Sequence, residues 1–310
     1  MSYSVVFCGT PDFAVPSLLK LIEDSDFIVK KVLSQPDRPA GRGKKLKPSP
    51  VKQCALENGI EVLTPEKVSL AMDELKNLQA DLSVVVAYGQ ILPQSFLDLF
   101  PLGSVNIHSS LLPRWRGAAP MQRAIMEGDS KTGVSLQKIV QKLDAGDIIG
   151  ERVIDLPLEM GAAELYTVLS DLGSELLVSD LKMFLKGEVK AKKQDEALVT
   201  YAHKILKEEA LLDWQQSALQ IHNKIRGLNM GPFAYTSFQG KQLKIHKTKP
   251  LEKKNQKNPG TIMTVCKESF EVSCGSHTLE VFEVQPESKA RMKAGDFIRG
   301  YHLKEGDRFE

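Results

Sequence analysis

The alternation of short apolar runs with helical patterns in the first half of the chain is the feature that most limits its fold. Apolar runs of strand length lie at 5–7, 29–33, 82–87 and 105–108. Between and after them, the spacing of apolar residues predicts helices over 13–23, 50–58, 68–78 and 118–127. Strands that alternate with helices pack into a mostly parallel, doubly wound sheet, so we predict an α/β domain.

A different pattern begins after a long amphipathic helix predicted over 162–185. The charged, weakly periodic stretch that follows indicates a linker, which we place at 189–206. Beyond a helix at about 215–228, short β-like runs are separated by turn dipeptides such as Gln239-Gly240. We therefore predict an α/β domain over 1–188, the linker, and a small closed or nearly closed β-barrel over 207–310.

Composition excludes several classes of protein. The chain has 310 residues and a hydrophobic fraction of 42%, which suits one large or two smaller packed cores. Its four cysteines have neither metal-site spacing nor the density of a disulfide framework, so we expect no bound metal and a reducing compartment. No signal peptide or membrane-length apolar segment is visible. We expect a monomer in the cytoplasm, most simply that of a bacterium, without a membrane partner.

Positive charge gathers in the C-terminal part of the chain. The formal net charge of +2 at pH 7 is too small to imply a polyanionic partner. One short span is nevertheless rich in lysine: Lys241, Lys244, Lys247, Lys249, Lys253, Lys254 and Lys257. Such a cluster either attracts phosphates or keeps a surface soluble, and the sequence alone favours neither interpretation.

The strongest candidate for chemistry is the segment 105–120, where Asn106 and His108 precede a loop rich in proline and glycine. Side chains two positions apart on a strand project from the same face, so we predict that Asn106 and His108 lie together at a strand end. An isolated pair of this kind is more often structural, with a partly buried histidine bonded to a neighbour. The residues that follow favour a functional site instead.

Missing motifs exclude other common chemistries. The chain has no G-x-G-x-x-G, P-loop or G-x-S-x-G motif, and no cysteine beside a candidate base. The turn Asp144-Ala-Gly-Asp147 supplies a carboxylate for orienting His108, although one of the two aspartates is expected to be only a turn residue. An imidazole, an amide and a carboxylate suit attack by an amine on a carbonyl-level carbon, because the amide stabilises a developing oxyanion.

Three spaced motifs resemble those of the folate-dependent formyltransferases. They are Asn106-x-His108, the run Ser110-Leu-Leu-Pro-Arg-Trp-Arg-Gly-Ala-Ala-Pro120, and the turn from Asp144 to Asp147. The basic segment 35–50 and the β-rich C-terminal part further resemble the members of this family that act on aminoacylated initiator tRNA. The resemblance covers nearly the whole chain, and it implies a Rossmann-like catalytic domain followed by a small OB-like β-barrel domain that binds tRNA.

The resemblance also implies a reaction. The formyl donor would be 10-formyltetrahydrofolate, and the acceptor would be the α-amino group of methionine on initiator tRNA, for translation initiation. The implied catalytic residues are Asn106, His108 and Asp144, with either His108 or a water taking the amine proton. The implied folate site comprises Tyr88, Gly89, Gln90, Ile91 and Leu92 together with Ser110, Leu111, Leu112 and Pro113.

The basic segment 34–49 has two interpretations. Its proline, glycine and charge content is typical of a solvated surface loop. The resemblance instead implies that its basic side chains grip the acceptor end of the tRNA, and glycines would let the segment order on contact. Arg42 is favoured as the most specific contact because a guanidinium makes paired hydrogen bonds. The candidate tRNA-binding residues are Arg38, Arg42, Lys44, Lys45 and Lys47.

Two departures from the family pattern and two rival functions stay open. Residues 227–233 lack a proline-tryptophan pair common in the family, and Leu143 stands where methionine is frequent. One rival is a formyltransferase for an amino-sugar nucleotide or for glycinamide ribonucleotide, which needs no large surface for a polyanion. The other is a non-catalytic RNA-binding protein that keeps the enzyme fold, and the presence of all three catalytic side chains argues against it.

Overall fold

The structure is a computed structural model that describes residues 2–40, 45–254 and 257–310, apart from the side chains of Ala40 and Lys45. Its contacts divide the chain into two compact units, each built from separate segments. Unit 1 comprises Met1–Pro120, Thr132–Ile154 and Tyr166–Ala202, and unit 2 comprises Met121–Lys131, Asp155–Leu165 and His203–Glu310. The domain boundaries at 188 and 207, which were drawn from the change in sequence pattern, stay a prediction.

The elements before residue 203 include both strands and helices. The strands are β1 (Tyr3–Gly9), β2 (Phe27–Leu33), β3 (Arg38–Ala40), β4 (Lys45–Lys47), β5 (Val62–Leu63), β6 (Leu82–Val86), β7 (Ser104–His108), β8 (Arg116–Gly117), β9 (Lys131–Lys138), β10 (Ile148–Asp155) and β11 (Tyr201–Ala202). The α-helices are α1 (Val15–Glu23), α2 (Pro50–Glu57), α3 (Met72–Leu78), α4 (Gln94–Leu97), α5 (Pro120–Glu127) and α6 (Ala162–Leu185). A turn of 3-10 helix precedes α1 and another precedes α3.

Unit 1 contains a seven-stranded sheet in the order β10-β9-β7-β6-β1-β2-β5. The pairs β1–β2, β1–β6, β2–β5 and β6–β7 are parallel, whereas β9 is antiparallel to β7. The chain leaves β1 toward β2 and β5, and it returns to the other side of β1 with β6 and β7. In such sheets, ligands bind beyond the carboxyl ends of the strands where the order reverses. The predicted mostly parallel sheet is confirmed.

The strands at the centre of this sheet form because they are almost wholly apolar. Val5, Val6, Phe7 and Cys8 of β1 are fully buried, and every residue of β6 is buried. Strands of this composition are typical of a parallel sheet covered on both faces. The order of the sheet therefore follows from burial, and it brings the carboxyl ends of β1, β6 and β7 to one edge.

Unit 2 contains most of α5 and, after residue 203, an antiparallel sheet and two further α-helices. These elements are α7 (Ala218–Gly227), β12 (Tyr235–Phe238), β13 (Lys241–Leu251), β14 (Ile262–Val265), β15 (Phe270–Ser273), β16 (Thr278–Pro286), β17 (Met292–Lys293) and α8 (Ala294–Tyr301). The strand order is β12-β13-β16-β15-β14, with β17 also paired to β16. The aromatic rings of Phe238, Phe270, Phe297 and Phe309 pack in its core. This half-barrel confirms the predicted β-rich, OB-like C-terminal part.

Within the described ranges, no helix combines the length and the apolar character that crossing a bilayer requires.

The turn between β12 and β13 supports a test of the fold. Gln239 and Gly240 both have positive φ, 52° and 71°, as in a two-residue type I′ hairpin turn. Gly240→Ala should lower the free energy of unfolding by about 1 kcal/mol, because alanine is strained in this backbone conformation. Gly300 of α8 is the matched control, since neither glycine has an atom within 4 Å of an added Cβ.

Gly300→Ala should raise the free energy of unfolding by about 0.5–1 kcal/mol, since alanine is the better helix former. Urea unfolding of both variants measures these changes. A stabilising Gly240→Ala would show that the turn does not have this geometry.

Candidate active site

Asn106 and His108 lie at the carboxyl end of β7, two positions apart on the same strand. Asn106 is paired with Val85 of β6 on one side and with Gln137 of β9 on the other. The side chain of His108 is buried, and that of Asn106 is partly exposed. The two side chains thus project from one face of the strand toward the edge where ligands bind in sheets of this order.

The contacts of the His108 ring define which nitrogen carries a proton. Nε2 lies 2.9 Å from the carbonyl oxygen of Trp115. Because a carbonyl only accepts, Nε2 donates this hydrogen bond, and in the neutral ring Nδ1 keeps a lone pair. Nδ1 faces Oδ2 of Asp144 at 3.8 Å, which is longer than a hydrogen bond. The neutral ring therefore presents an acceptor nitrogen beside a carboxylate.

Asp144 is held by hydrogen bonds to both of its carboxylate oxygens. Oδ2 accepts the Gly117 N–H at 2.8 Å, and Oδ1 accepts from Nε2 of Gln137 at 3.1 Å. Its φ of 47° is left-handed, which aspartate tolerates better than most residues. Asp147, in the same turn, accepts the Lys138 N–H with its backbone carbonyl. Of the two candidate aspartates, Asp144 is the one that faces His108.

The loop after His108 is held by Thr200, a residue of the predicted linker. Oγ1 of Thr200 accepts the Trp115 N–H at 2.9 Å, and its carbonyl accepts the Arg116 N–H at 2.9 Å. Strand β11 then continues this contact as a parallel partner of β8. At this end the predicted linker is an ordered part of unit 1.

Gln194 fixes the turn that carries Asp144. Its Nε2 donates to the carbonyls of Asp144 at 2.8 Å and of Gly146 at 2.7 Å. Its Oε1 accepts from Nε and Nη2 of Arg116, at 3.0 and 2.8 Å. One side chain therefore joins the Asp144 turn to the loop that follows His108.

Arg116 is a fully buried cation with an exposed partner. Its Nη2 donates to Oε1 of Glu196 at 2.9 Å, and Lys142 donates to the other oxygen of Glu196 at 2.6 Å. These hydrogen bonds lower the pKa of Glu196 to about 2, and the bond from Arg116 has a larger effect than the bond from Lys142. Nη1 of Arg116 is buried, without a hydrogen-bond partner among the described residues. Glu196 thus pairs with the buried positive charge of Arg116.

The residues implied for folate binding after β6 differ in exposure. Tyr88 is buried, which raises the pKa of its hydroxyl, and its carbonyl accepts from Oγ1 of Thr10 at 2.9 Å. The side chain of Gln90 bonds to the backbone of Pro65 and Val68. Leu92 packs against the cluster that contains Tyr88. Gly89 and Ile91 are exposed, Ile91 by 94%.

The residues implied for folate binding after β7 are largely tied into the fold. Ser110 is fully buried, and its hydroxyl donates to the Arg114 carbonyl at 2.7 Å. The N–H of Leu112, also buried, donates to Oγ of Ser135 at 3.0 Å. Leu111 and Pro113 are only partly buried. Ser110 and Leu112 therefore shape this segment, and Leu111 and Pro113 are its more accessible side chains.

The described part of the basic segment contains two short paired strands. Strands β3 and β4 pair antiparallel, with Arg38 opposite Lys47. Both side chains are exposed. Lys52, which follows the two strands, bonds to Asp37, which precedes them, at 2.8 Å. Arg42 and Lys44 lie outside the described residues, as does the side chain of Lys45.

The lysine cluster of the C-terminal part lies mainly on β13 in unit 2. Lys241, Lys247 and Lys249 are exposed, and Lys244 is partly buried. Lys253, just after this strand, pairs with Glu271 at 2.6 Å. In neither unit, as far as the chain is described, do three or more histidine, cysteine, aspartate or glutamate side chains gather in a way that would hold a metal ion.

Comparison with known families identifies the class of protein. The family model described as formyl transferase matches residues 3–181, and that of the formyl transferase C-terminal domain matches residues 204–302. The chain therefore belongs to the formyltransferase family.

Its sequence relatives are more specific. The methionyl-tRNA formyltransferase of Bdellovibrio bacteriovorus is 50% identical over 309 residues, covering 98% of this chain and 97% of its own. That of Bacillus subtilis is 44% identical over 306 residues, covering 98% and 96%. Identity of this extent places the chain in the methionyl-tRNA formyltransferase group.

Solved structures share the fold at low identity. The N-formyltransferase of Helicobacter canadensis, solved with folinic acid and dTDP-3-aminofucose, has a TM-score of 0.67 at 19% identity and covers 92% of this chain and 100% of its own. HypX of Aquifex aeolicus has a TM-score of 0.65 at 16% identity. The match covers 98% of this chain but only 49% of HypX, so this chain spans about half the length of that protein.

Sequence reasoning missed several residues around His108. Arg116 and Gly117 lie inside the motif that carried the resemblance, so their contact roles had a sequence signal. Gln194 and Thr200 had none, because each is a single polar residue in a stretch without periodicity. Their roles depend on contacts between segments that are distant along the chain.

The lowered pKa of Glu196 predicts a pH-dependent stability. A carboxylate with a lowered pKa stabilises the fold above its ordinary value of about 4.5, and this contribution is lost as the pH falls toward about 2. Wild type should be more stable than Glu196→Gln at pH 7, and the difference should shrink as the pH falls between these values. Urea unfolding at several pH values measures it, and a difference that does not change with pH would contradict the assigned pairing with Arg116.

Proposed function

We propose that this protein transfers the formyl group of 10-formyltetrahydrofolate to the α-amino group of methionine on initiator tRNA, with Asn106, His108 and Asp144 as catalytic residues. Formylation of initiator methionyl-tRNA for translation initiation is the activity of the group to which the chain belongs. The observation that carries the residue assignment is the His108 ring, with Nε2 donating to Trp115 and Nδ1 facing Asp144. Nearly full-length identity of 50% to a relative of that name supports the choice of acceptor.

The chemistry begins with the neutral amine attacking the formyl carbon. As the new C–N bond forms, the amine must lose a proton. Nδ1 of His108 has the free lone pair to accept it, because Nε2 is engaged as a donor. The carboxylate of Asp144, 3.8 Å away, then stabilises the cationic ring. His108 is thus the proposed general base, in preference to a water.

Charge develops on the formyl oxygen as the amine adds. The amide of Asn106 is the proposed donor to this oxygen, since its side chain is partly exposed on the same strand face as His108. One preorganised donor of this kind typically contributes about 10²–10³ in rate. When the bond to the donor nitrogen breaks, protonated Nδ1 returns its proton to that leaving nitrogen. The ring is then neutral again, and the protons balance.

Binding of the formyl donor is assigned to Tyr88–Leu92 and Ser110–Pro113. These segments follow neighbouring parallel strands, so both lie at the edge of the sheet that carries His108. The exposed apolar side chain of Ile91 and the bare backbone of Gly89 suit a flat heterocycle such as a pterin. Buried Tyr88 and Ser110 would shape these loops from beneath.

The tRNA contacts are assigned to the basic segment, through Arg38, Arg42, Lys44, Lys45 and Lys47. The opposed, exposed side chains of Arg38 and Lys47 concentrate positive charge on a narrow ribbon, which suits salt-dependent contacts to phosphates. The protein is further proposed to act as a monomer and to need no bound metal. A location in the bacterial cytoplasm is proposed because the named relatives come from bacteria.

The two aspartates of one turn provide a matched test of the catalytic assignment. Asp144→Asn should lower kcat for formyl transfer about 10²-fold or more, because the amide no longer stabilises the protonated ring. His108→Ala should lower it by at least as much. Asp147→Asn, in the same turn, should keep kcat within about threefold of wild type. Single-turnover transfer of labelled formyl to methionyl initiator tRNA measures these rates.

Binding of the tRNA should be separable from catalysis. Filter binding should show that Asp144→Asn and His108→Ala hold the tRNA as wild type does, whereas Arg42→Ala should weaken it. Full transfer activity in His108→Ala would overturn the assignment of the base.

A further inference from the structure

We propose that Thr200 is a positioning residue for this reaction, which sets the tautomer and orientation of His108 through the carbonyl of Trp115. The described hydrogen bonds of Thr200 are made to residues 113, 115 and 116, and not to His108 or Asp144. Thr200 lies 85 residues from Trp115 in the chain. The inference rests on the proposed function, in which Nδ1 of His108 takes the amine proton.

The backbone of Trp115 is held in an unfavourable conformation. Its φ is 66°, in the left-handed region that large side chains avoid. A residue keeps such a conformation only where its surroundings hold it, and such residues are frequent at functional sites. Here the conformation aims the Trp115 carbonyl at Nε2 of His108, at 2.9 Å.

Thr200 forms hydrogen bonds on both sides of Trp115. Its hydroxyl oxygen accepts the Trp115 N–H at 2.9 Å. Its own N–H donates to the Pro113 carbonyl at 3.4 Å, and its carbonyl accepts the Arg116 N–H at 2.9 Å. Three hydrogen bonds from one residue thus bracket the strained position, and only the bond to Trp115 comes from a side chain.

The segment that begins at Thr200 also supports Asp144. Directly after Thr200, strand β11 pairs with β8, so that Ala202 lies opposite Gly117. The approach is close, because a Cβ on Gly117 would lie 2.8 Å from the Ala202 carbonyl. The N–H of Gly117 donates to Oδ2 of Asp144 at 2.8 Å. The segment 200–202 therefore positions both partners of His108.

The consequence for catalysis lies in the tautomer. With the Trp115 carbonyl in place, the ring proton sits on Nε2 and the lone pair on Nδ1. If that carbonyl turns away, a proton on Nδ1 can instead point at the Asp144 carboxylate, and Nδ1 can no longer accept the amine proton. The hydroxyl of Thr200 thus favours the reactive form of the ring.

The test compares Thr200→Val, which has the same shape but no hydroxyl, with Thr200→Ser, which keeps the hydroxyl. Thr200→Val should lower kcat about tenfold or more while KM for tRNA and for the folate donor stays within about twofold. Thr200→Ser should stay within about threefold of wild type in kcat. If Thr200→Val does not fold, Thr200→Ala replaces it, with the same changes expected in kcat and KM.

Nitrogen-15 NMR of the imidazole rings supplies a readout independent of activity. His108→Ala identifies the signals of His108 among the six histidines. Wild type and Thr200→Ser should show the Nε2–H tautomer, and Thr200→Val should shift toward Nδ1–H.

Thr200→Val with wild-type kcat and an unchanged His108 spectrum would overturn the inference. An equal loss of kcat in Thr200→Ser, with the tautomer unchanged, would also overturn it, because the role would then be structural. Retained activity in His108→Ala would instead refute the proposed function on which it rests.

Discussion

The hydrogen bond from His108 Nε2 to the Trp115 carbonyl is the interaction on which the proposed site depends. It assigns a donor role to one ring nitrogen and leaves the other free, so a single backbone oxygen determines what the imidazole can do. Trp115 is in turn held in a left-handed conformation by contacts with residues far along the chain. The chemistry of the ring is therefore linked to the packing of unit 1.

The sheet explains why these groups meet. Strand order reverses between β1 and β6, and the carboxyl ends of β1, β6 and β7 share one edge. The antiparallel strand β9 then places Gln137 opposite Asn106, from where its amide reaches Asp144. A parallel core thus provides the edge, and one antiparallel neighbour provides a support for the carboxylate.

The sequence predicted the elements whose residues are buried in regular patterns. Strands β1, β2, β6 and β7, the bounds of α6 and the paired placement of Asn106 and His108 follow from apolar runs, helical periodicity and strand geometry, whereas the two-residue strand β5 was not predicted. These predictions succeeded because the central strands are short, continuous apolar runs and because burial repeats about every 3.6 residues in a helix.

The parts of the fold and the site that were not predicted depend on contacts that no local sequence pattern encodes. The left-handed φ of Trp115 contradicts the preference of a bulky residue, and Thr200 and His108 form hydrogen bonds with its peptide groups. The stretch predicted as a linker had polar residues without periodicity, yet Gln194 and Thr200 make specific bonds from it. Strands β3 and β4 have three residues each, too few for a period to show.

The most direct test of the central claim is an acceptor comparison. Labelled formyl is supplied as 10-formyltetrahydrofolate to the full chain, with methionyl initiator tRNA, free methionine and an amino-sugar nucleotide offered as parallel acceptors. Label should enter only the methionyl-tRNA. Transfer to the sugar nucleotide instead, or to none of the three, would contradict it.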